Sequence, residues 1–232
     1  MKRHSINTHN DCWVDLFLLD IEPGSVDTQL LFPVLSPHEQ TLADRYIHEI
    51  DRNLFISRRA HLRWLLAAYL QIQPAEVEYC ANVYGKLYLS SNDLWFNLSM
   101  SRNRVVYAFT REGEIGVDIE QEREIPEGLD LAQRWFSEGE NAQLAALPHE
   151  KFQAAFFHVW TQKEAYIKAR GEGLSIPLTS FCVSVDPHSP GGLLPADREW
   201  KLLTMIPDPG WRLAVCLNTR HSPRLELARE FK

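Results

Sequence analysis

Two short stretches carry residue types that could do metal or phosphate chemistry. In Ile115-Gly116-Val117-Asp118-Ile119-Glu120 the two acids stand two residues apart. On a strand that spacing puts both carboxylates on one face, with Val117 and Ile119 on the other. Carboxylates that close repel, and a pKa rises unless a cation lies between them. Oxygen ligands on a rigid strand suit Mg2+; the plainer alternative is an edge strand with a solvated polar face. The second stretch is Trp160-Thr161-Gln162-Lys163-Glu164-Ala165-Tyr166-Ile167-Lys168. Phe152, Phe156, Val159, Trp160 and Ile167 recur at helical spacings, and Lys163 and Glu164 interrupt that apolar face. Burying such charges costs on the order of several kcal/mol per ion unless something pairs with them. A bound metal or phosphate is one partner. The alternative is a surface Glu164–Lys168 pair worth ~0.3–0.5 kcal/mol.

These stretches need elements to hold them. The apolar spacing predicts a helix over residues 151–169, stopped by Gly171-Glu172-Gly173, and another over 131–147 with Glu140 on a face of its own. Asn97, Ser99 and Ser101 alternate with Phe96, Leu98 and Met100, so they line one face of a strand or its exit. Residues 105–109 read as a short buried strand. Residues 11–20 read as the first strand. Ser36-Pro37-His38-Glu39 reads as a helix start running on to about residue 50. A helix over 52–70 carries Arg52, Arg58, Arg59 and Arg63, either as a solvated face or as a row of bidentate phosphate donors. Tyr84-Gly85-Lys86 reads as a turn followed by a lysine. Further strands are expected at 181–185 and 211–216, with a Pro- and Gly-containing loop over 187–197.

The 232 residues suffice for one large domain or two small ones, and 45% hydrophobic content is ordinary for a globular chain. No apolar run is long enough to span a membrane. Residues 1–7 are basic but no apolar signal region follows, so the sequence reads as cytoplasmic. Cys12, Cys80, Cys182 and Cys216 form no CxxC pair, which speaks against a zinc or redox site. A net charge of −7 speaks against general nucleic-acid binding.

Taken in order, Gly116-Val117-Asp118-Ile119-Glu120, then Phe136-Ser137-Glu138-Gly139-Glu140, then Trp160 to Lys168, resemble the Sfp-type 4′-phosphopantetheinyl transferases. Phe96-Asn97-Leu98-Ser99 upstream and Gly171-Glu172-Gly173-Leu174 downstream extend the resemblance to roughly residues 36–185. It implies an α+β fold of two similar subdomains related by a pseudo-twofold. Each would be a small, mostly antiparallel sheet with helices, and the active site would lie in the cleft between them. The division falls at residues 1–110, the coenzyme A side, and 111–232, the side of the metal ligands and catalytic helix.

The activity implied is transfer of 4′-phosphopantetheine from coenzyme A, as co-substrate, to a serine of an apo acyl or peptidyl carrier protein, releasing adenosine 3′,5′-bisphosphate. Asp118, Glu120 and Glu164 would hold Mg2+. Glu164 would be the base, Lys168 would grip a phosphate, and Glu140 would support catalysis. Lys86, Ser99, Lys163, Lys168 and Arg52 are expected to bind coenzyme A. The protein is expected to act as a monomer, without membrane or nucleic acid. The pattern departs from the family on the coenzyme A side, where Met100, Leu54 and Glu39 stand in place of charged or histidine side chains. A carrier-binding relative with weakened coenzyme A use, or a Mg2+-dependent phosphohydrolase, are the competing readings.

Overall fold

A computed structural model describes residues 12–22, 24, 26–91 and 93–229. The reading of residues 1–7, and Asp11 of the first strand, lie outside the described residues. In chain order the elements are β1 (Trp13–Asp20), α1 (Thr28–Leu31), α2 (Pro37–Ala43), α3 (Glu49–Leu70), β2 (Cys80–Ala81), β3 (Leu87–Tyr88), β4 (Trp95–Ser101), β5 (Arg104–Thr110) and β6 (Ile115–Gln121). Then follow α4 (Gly128–Trp135), α5 (Glu138–Ala145), α6 (His149–Arg170), β7 (Cys182–Val183), β8 (Leu193–Leu194), β9 (Trp200–Met205), β10 (Trp211–Asn218) and β11 (Arg224–Ala228).

Two sheets pack face to face, and each carries one 22-residue helix on its outer side. The first has the order β11-β1-β5-β4 and the second β6-β10-β9. Period-two alternation builds the layers. Along β5, Val106 and Ala108 face the second sheet, while Val105, Tyr107 and Phe109 meet Leu62, Leu65 and Leu66 of α3. Along β10, Leu213, Val215 and Leu217 face the first sheet, while Ala214 and Cys216 meet α6. β1–β5 and β5–β4 are antiparallel, as are both pairings of the second sheet. β11 instead runs parallel to β1, with Leu16 opposite Leu227. A cut between residues 110 and 111 would therefore separate β11 from the sheet it completes.

The helix expected over 131–147 is two helices. Ser137 N-caps α5 through its Oγ, and Glu140 closes the capping box on Ser137 N, so the chain turns at Phe136–Ser137. Likewise the helix expected from Ser36 to residue 50 ends at Ala43, and α3 starts three residues earlier than expected. β9 and β11 were not foreseen: each is a short strand with a charged residue inside it.

Gly116 fixes how closely helix and sheet approach. A Cβ at this position would collide with the Ala165 carbonyl oxygen and the Ala169 nitrogen, both backbone atoms of α6. Neither can swing aside as a side chain could. Gly116→Ala is expected to destabilise the fold by about 3 kcal/mol or more, read as a lowered denaturation midpoint.

Polar side chains on α6 also pin the loop that follows β7. Gln162 Nε2 donates to the Ser184 carbonyl at 2.9 Å, and its Oε1 accepts from Gly192 N at 3.0 Å. His158, 1% exposed, lies beside the Ser184 and Ser189 hydroxyls. Burial first, and Arg212 second, push its imidazole down from 6.5 to about 4. The unfolded chain takes up a proton near pH 6.5 that the folded chain refuses until about pH 4. This contribution is therefore complete above pH 6.5 and is lost as pH falls towards 4, by about 3 kcal/mol in all. His158→Gln is expected to flatten the stability–pH curve in that window, as measured by urea denaturation at stepped pH.

Candidate active site

β4 and β6 lie side by side at the seam between the sheets, joined there by side chains. Asn97 Oδ1 accepts from Val117 N at 3.0 Å. Ser99 Oγ donates to Asp118 Oδ1 and Ser101 Oγ to Glu120 Oε2, each at 2.7 Å. The alternating polar face read from residues 97–101 is thus the rail that holds the two acids. From α6, Lys168 Nζ reaches across to Asp118 Oδ1 at 2.6 Å and to Ser99 Oγ at 2.9 Å. On the outer side Arg123 pairs with Glu120 at 3.2 Å.

Negative charge is crowded here. Asp118 is 4% exposed, and its Oδ2 is buried with no hydrogen-bond partner. Burial pushes its carboxyl up against the pull of Lys168. The Glu164 carboxyl is pushed up to about 7, by burial first and then by the charge of Asp118, with Glu120 adding to it. The three carboxylates are neighbours in charge, yet among the described residues no three His, Cys, Asp or Glu side chains form a ready metal cluster. Lys168, Ser99, Ser101 and Arg123 hold Asp118 and Glu120 instead. The orphaned buried Oδ2 of Asp118, near a Glu164 carboxyl raised by burial and then by its acidic neighbours, is chemistry that a divalent cation would satisfy.

The structure places two of the expected site residues elsewhere. Lys163 is fully buried inside the second half, where its Nζ donates to Glu140 Oε2 at 2.8 Å and to the Leu178 and Phe181 carbonyls at 2.7 and 2.6 Å. Glu140 is 1% exposed and also accepts from Ser137 N and Val183 N. Neither faces the seam: the pair bolts α5, α6 and β7 together. Lys163 therefore fills the gap in the apolar face with a protein partner and not with a ligand.

On the other half, Arg52 pairs with Asp44 at 3.0 Å near the end of α2. Lys86 donates to the Ala169 carbonyl at 2.5 Å. Glu39 is buried, closing the capping box of α2 and receiving Arg63 Nε at 2.5 Å and the Tyr79 hydroxyl. Burial pushes its carboxyl up, but Tyr79, Ser36 N and Arg63 outweigh burial and hold it below its usual value. Next to it on α3, Arg58 Nε and Arg59 Nε and Nη1 are buried without hydrogen-bond partners, although Arg59 Nε keeps an ion pair with Glu39 Oε1 at 3.9 Å. Leu54, one turn before Arg58, packs in the cluster that contains Met100, the residue after Ser99.

The family profile described as the 4′-phosphopantetheinyl transferase superfamily matches residues 114–216, the stretch that runs from the acid strand through α6 to β10. The transferase HetI of Nostoc sp. is 33% identical over 208 residues, covering 88% of this chain and 87% of that protein. The chain belongs to the 4′-phosphopantetheinyl transferase superfamily. The transferase Sfp of Bacillus subtilis is 32% identical over 187 residues, 78% of this chain and 81% of its own. AcpT of Salmonella typhi is 36% identical over 141 residues, 59% of this chain. In this phosphopantetheinyl transferase, small sheets, mostly antiparallel, pack with helices in an α+β fold. No helix among the described residues is long and apolar enough to cross a membrane.

Two features of the site were missed from the sequence. Arg123 lies in an acidic stretch that reads only as a loop. Asn82, whose Nδ2 donates to the Gly171 carbonyl at 2.6 Å, is an ordinary turn residue until the fold brings residue 171 to it.

Proposed function

We propose that this transferase moves 4′-phosphopantetheine from coenzyme A to a serine of an apo acyl or peptidyl carrier protein. The serine oxygen forms a bond to the phosphorus that carries the pantetheine arm. The bond from that phosphorus to the oxygen bridging the pyrophosphate breaks, and adenosine 3′,5′-bisphosphate leaves. The observation that carries this reading is the meeting of α6 with the acid strand: Lys168 Nζ lies 2.6 Å from Asp118 Oδ1, and Glu164 shares that charge environment, its carboxyl pushed up by burial and by Asp118. A carboxylate so placed can take a hydroxyl proton.

Glu164 takes the serine proton. Ser99 and Ser101 keep Asp118 and Glu120 aimed into the seam. Lys168, already poised between Ser99 and Asp118, presents its ammonium to the phosphates. Asp118, Glu120 and Glu164 would hold Mg2+. Bound there, the ion would neutralise charge developing on the leaving phosphate. Arg58 and Arg59 carry guanidinium nitrogens without hydrogen-bond partners, cationic donors that Glu39, Leu54 and Met100 do not supply, and they are our choice for the far phosphates of coenzyme A. We take the protein to act as a cytoplasmic monomer.

The test is incubation with coenzyme A, Mg2+ and several apo carrier proteins, read by intact mass. The expected result is a gain of one phosphopantetheine on a carrier, abolished by EDTA. Hydrolysis of coenzyme A with no carrier present would favour a phosphohydrolase. Carrier binding without coenzyme A binding at millimolar ligand would favour the weakened relative that Glu39, Leu54 and Met100 suggest.

A further inference from the structure

Pro187-His188-Ser189-Pro190-Gly191-Gly192 has the composition of a loop, yet hydrogen bonds fix it on three sides. Gly191, with φ of 81°, donates its N–H to Ser189 Oγ at 3.4 Å. Ser189 Oγ lies 2.8 Å from Ser184 Oγ and beside the His158 imidazole of α6. Thr204 of β9 donates its hydroxyl to the Ser189 carbonyl at 3.2 Å and its N–H to the Pro190 carbonyl at 3.0 Å. This fixed loop borders a cavity of about 400 Å3, within the size range of small-molecule sites. Pro187, Pro190, Met205 and Ile206 give it an apolar lining, and Arg212 and His158 give it polar groups. No residue of the seam around Asp118 lines it.

Arg212 is 7% exposed. Its Nε donates to Glu122 Oε1 at 2.5 Å and its Nη1 to the Pro187 carbonyl at 2.8 Å. Its Nη2 donates to no described residue, so a buried guanidinium keeps two N–H donors in hand. The charge around the cavity has a sign. After burial, Arg212 is the largest influence pushing the His158 imidazole down; Asp186 opposes it and His188 adds to it. An anion is therefore the favoured guest. Glu122 already neutralises part of Arg212, and Asp186 lies near, so a dianion meets repulsion where a monoanion gains a charge-assisted hydrogen bond. We propose that this cavity binds a small organic monocarboxylate, with its head group on Arg212 Nη2 and its apolar body against Pro190, Met205 and Ile206.

Binding here is independent of the transfer reading. The experiment uses the full chain near neutral pH, without coenzyme A, Mg2+ or carrier protein, titrated with hexanoate, hexanol and inorganic phosphate. Hexanoate is expected to saturate with a Kd of about 10 mM or below. It should shift the imidazole resonances of His158 in proton–carbon NMR spectra, assigned by their loss in His158→Gln. Hexanol and phosphate are expected to bind at least about tenfold more weakly. Arg212→Gln combined with Glu122→Gln, which strands no carboxylate, is expected to abolish hexanoate binding. Ile206 lines the cavity and is half exposed, so changing it spares the core. Ile206→Glu is expected to weaken hexanoate about tenfold, and Ile206→Lys to tighten it about threefold. Lost packing alone would weaken both alike, and that result overturns the head-group assignment. No saturation up to about 50 mM, hexanol binding as well as hexanoate, phosphate binding more tightly, or saturation that leaves the His158 resonances in place each overturns the site.

Discussion

Glu164→Gln is expected to lower transfer to a carrier protein by about 10²–10⁴-fold, the range for losing a positioned base. The fold should survive. Burial first, and then the charge of Asp118, push the Glu164 carboxyl up to about 7, so the amide removes a disfavoured charge and not a structural partner. The melting temperature should hold or rise while activity disappears, and intact mass of the carrier after timed incubation reads the loss. Asp118→Asn should behave the same way for a related reason. Its buried Oδ2 has no hydrogen-bond partner, and burial already disfavours its charge. A Glu164→Gln protein that transfers at the wild-type rate would remove the base assigned here.

Lys163→Met is expected to do the opposite: unfold first, and lose activity only as a result. The methionine fills similar volume but leaves Glu140 as a buried carboxylate without its ammonium. Breaking such a pair costs about 3–5 kcal/mol, which for a chain of this size is a fall of roughly 6–20 °C in melting temperature. The Phe181 ring, 4.4 Å from Nζ, and two backbone carbonyls lose their cation as well. Adding Glu140→Gln should recover much of the loss, because an amide keeps part of the hydrogen bonding to Ser137 N and Val183 N without a stranded charge. If Lys163 instead gripped a substrate phosphate, the single variant would melt normally with a raised KM.

That contrast shows what the sequence could and could not tell. The apolar stripe of α6 announced that Lys163 and Glu164 needed partners, because buried charge is costly. It could not say that their partners differ. One residue apart on a helix is a turn of about 100°, enough to aim Lys163 into the interior towards α5 and Glu164 towards the seam. The acid strand was legible because period two is strict: Asp118 and Glu120 do share a face, and Gly116, on the same face, marks where α6 runs closest. Ser99 and Ser101 were legible as a face but not as partners of those acids. Contacts between β4 and β6 join side chains across two sheets, and no local rule encodes them. Lys86 was legible only as a lysine after a turn, and only the fold supplies the carbonyl of residue 169 that it meets. Arg59 and Arg63, read as one row, differ as well: Arg63 is bound by Glu39 and two carbonyls, whereas buried nitrogens of Arg59 lack hydrogen bonds.

The edge of the first sheet is covered by a strand from far along the chain. β1 and β11 pair in parallel from Trp13 opposite Arg224 to Phe17 opposite Ala228, yet about two hundred residues of translation separate them. A nascent chain therefore presents β1 with a bare edge until β11 has been made. Deleting residues 224–228 leaves that edge open to the same strand of another molecule. Such a deletion should thus yield self-association well before it touches the chemistry of the seam.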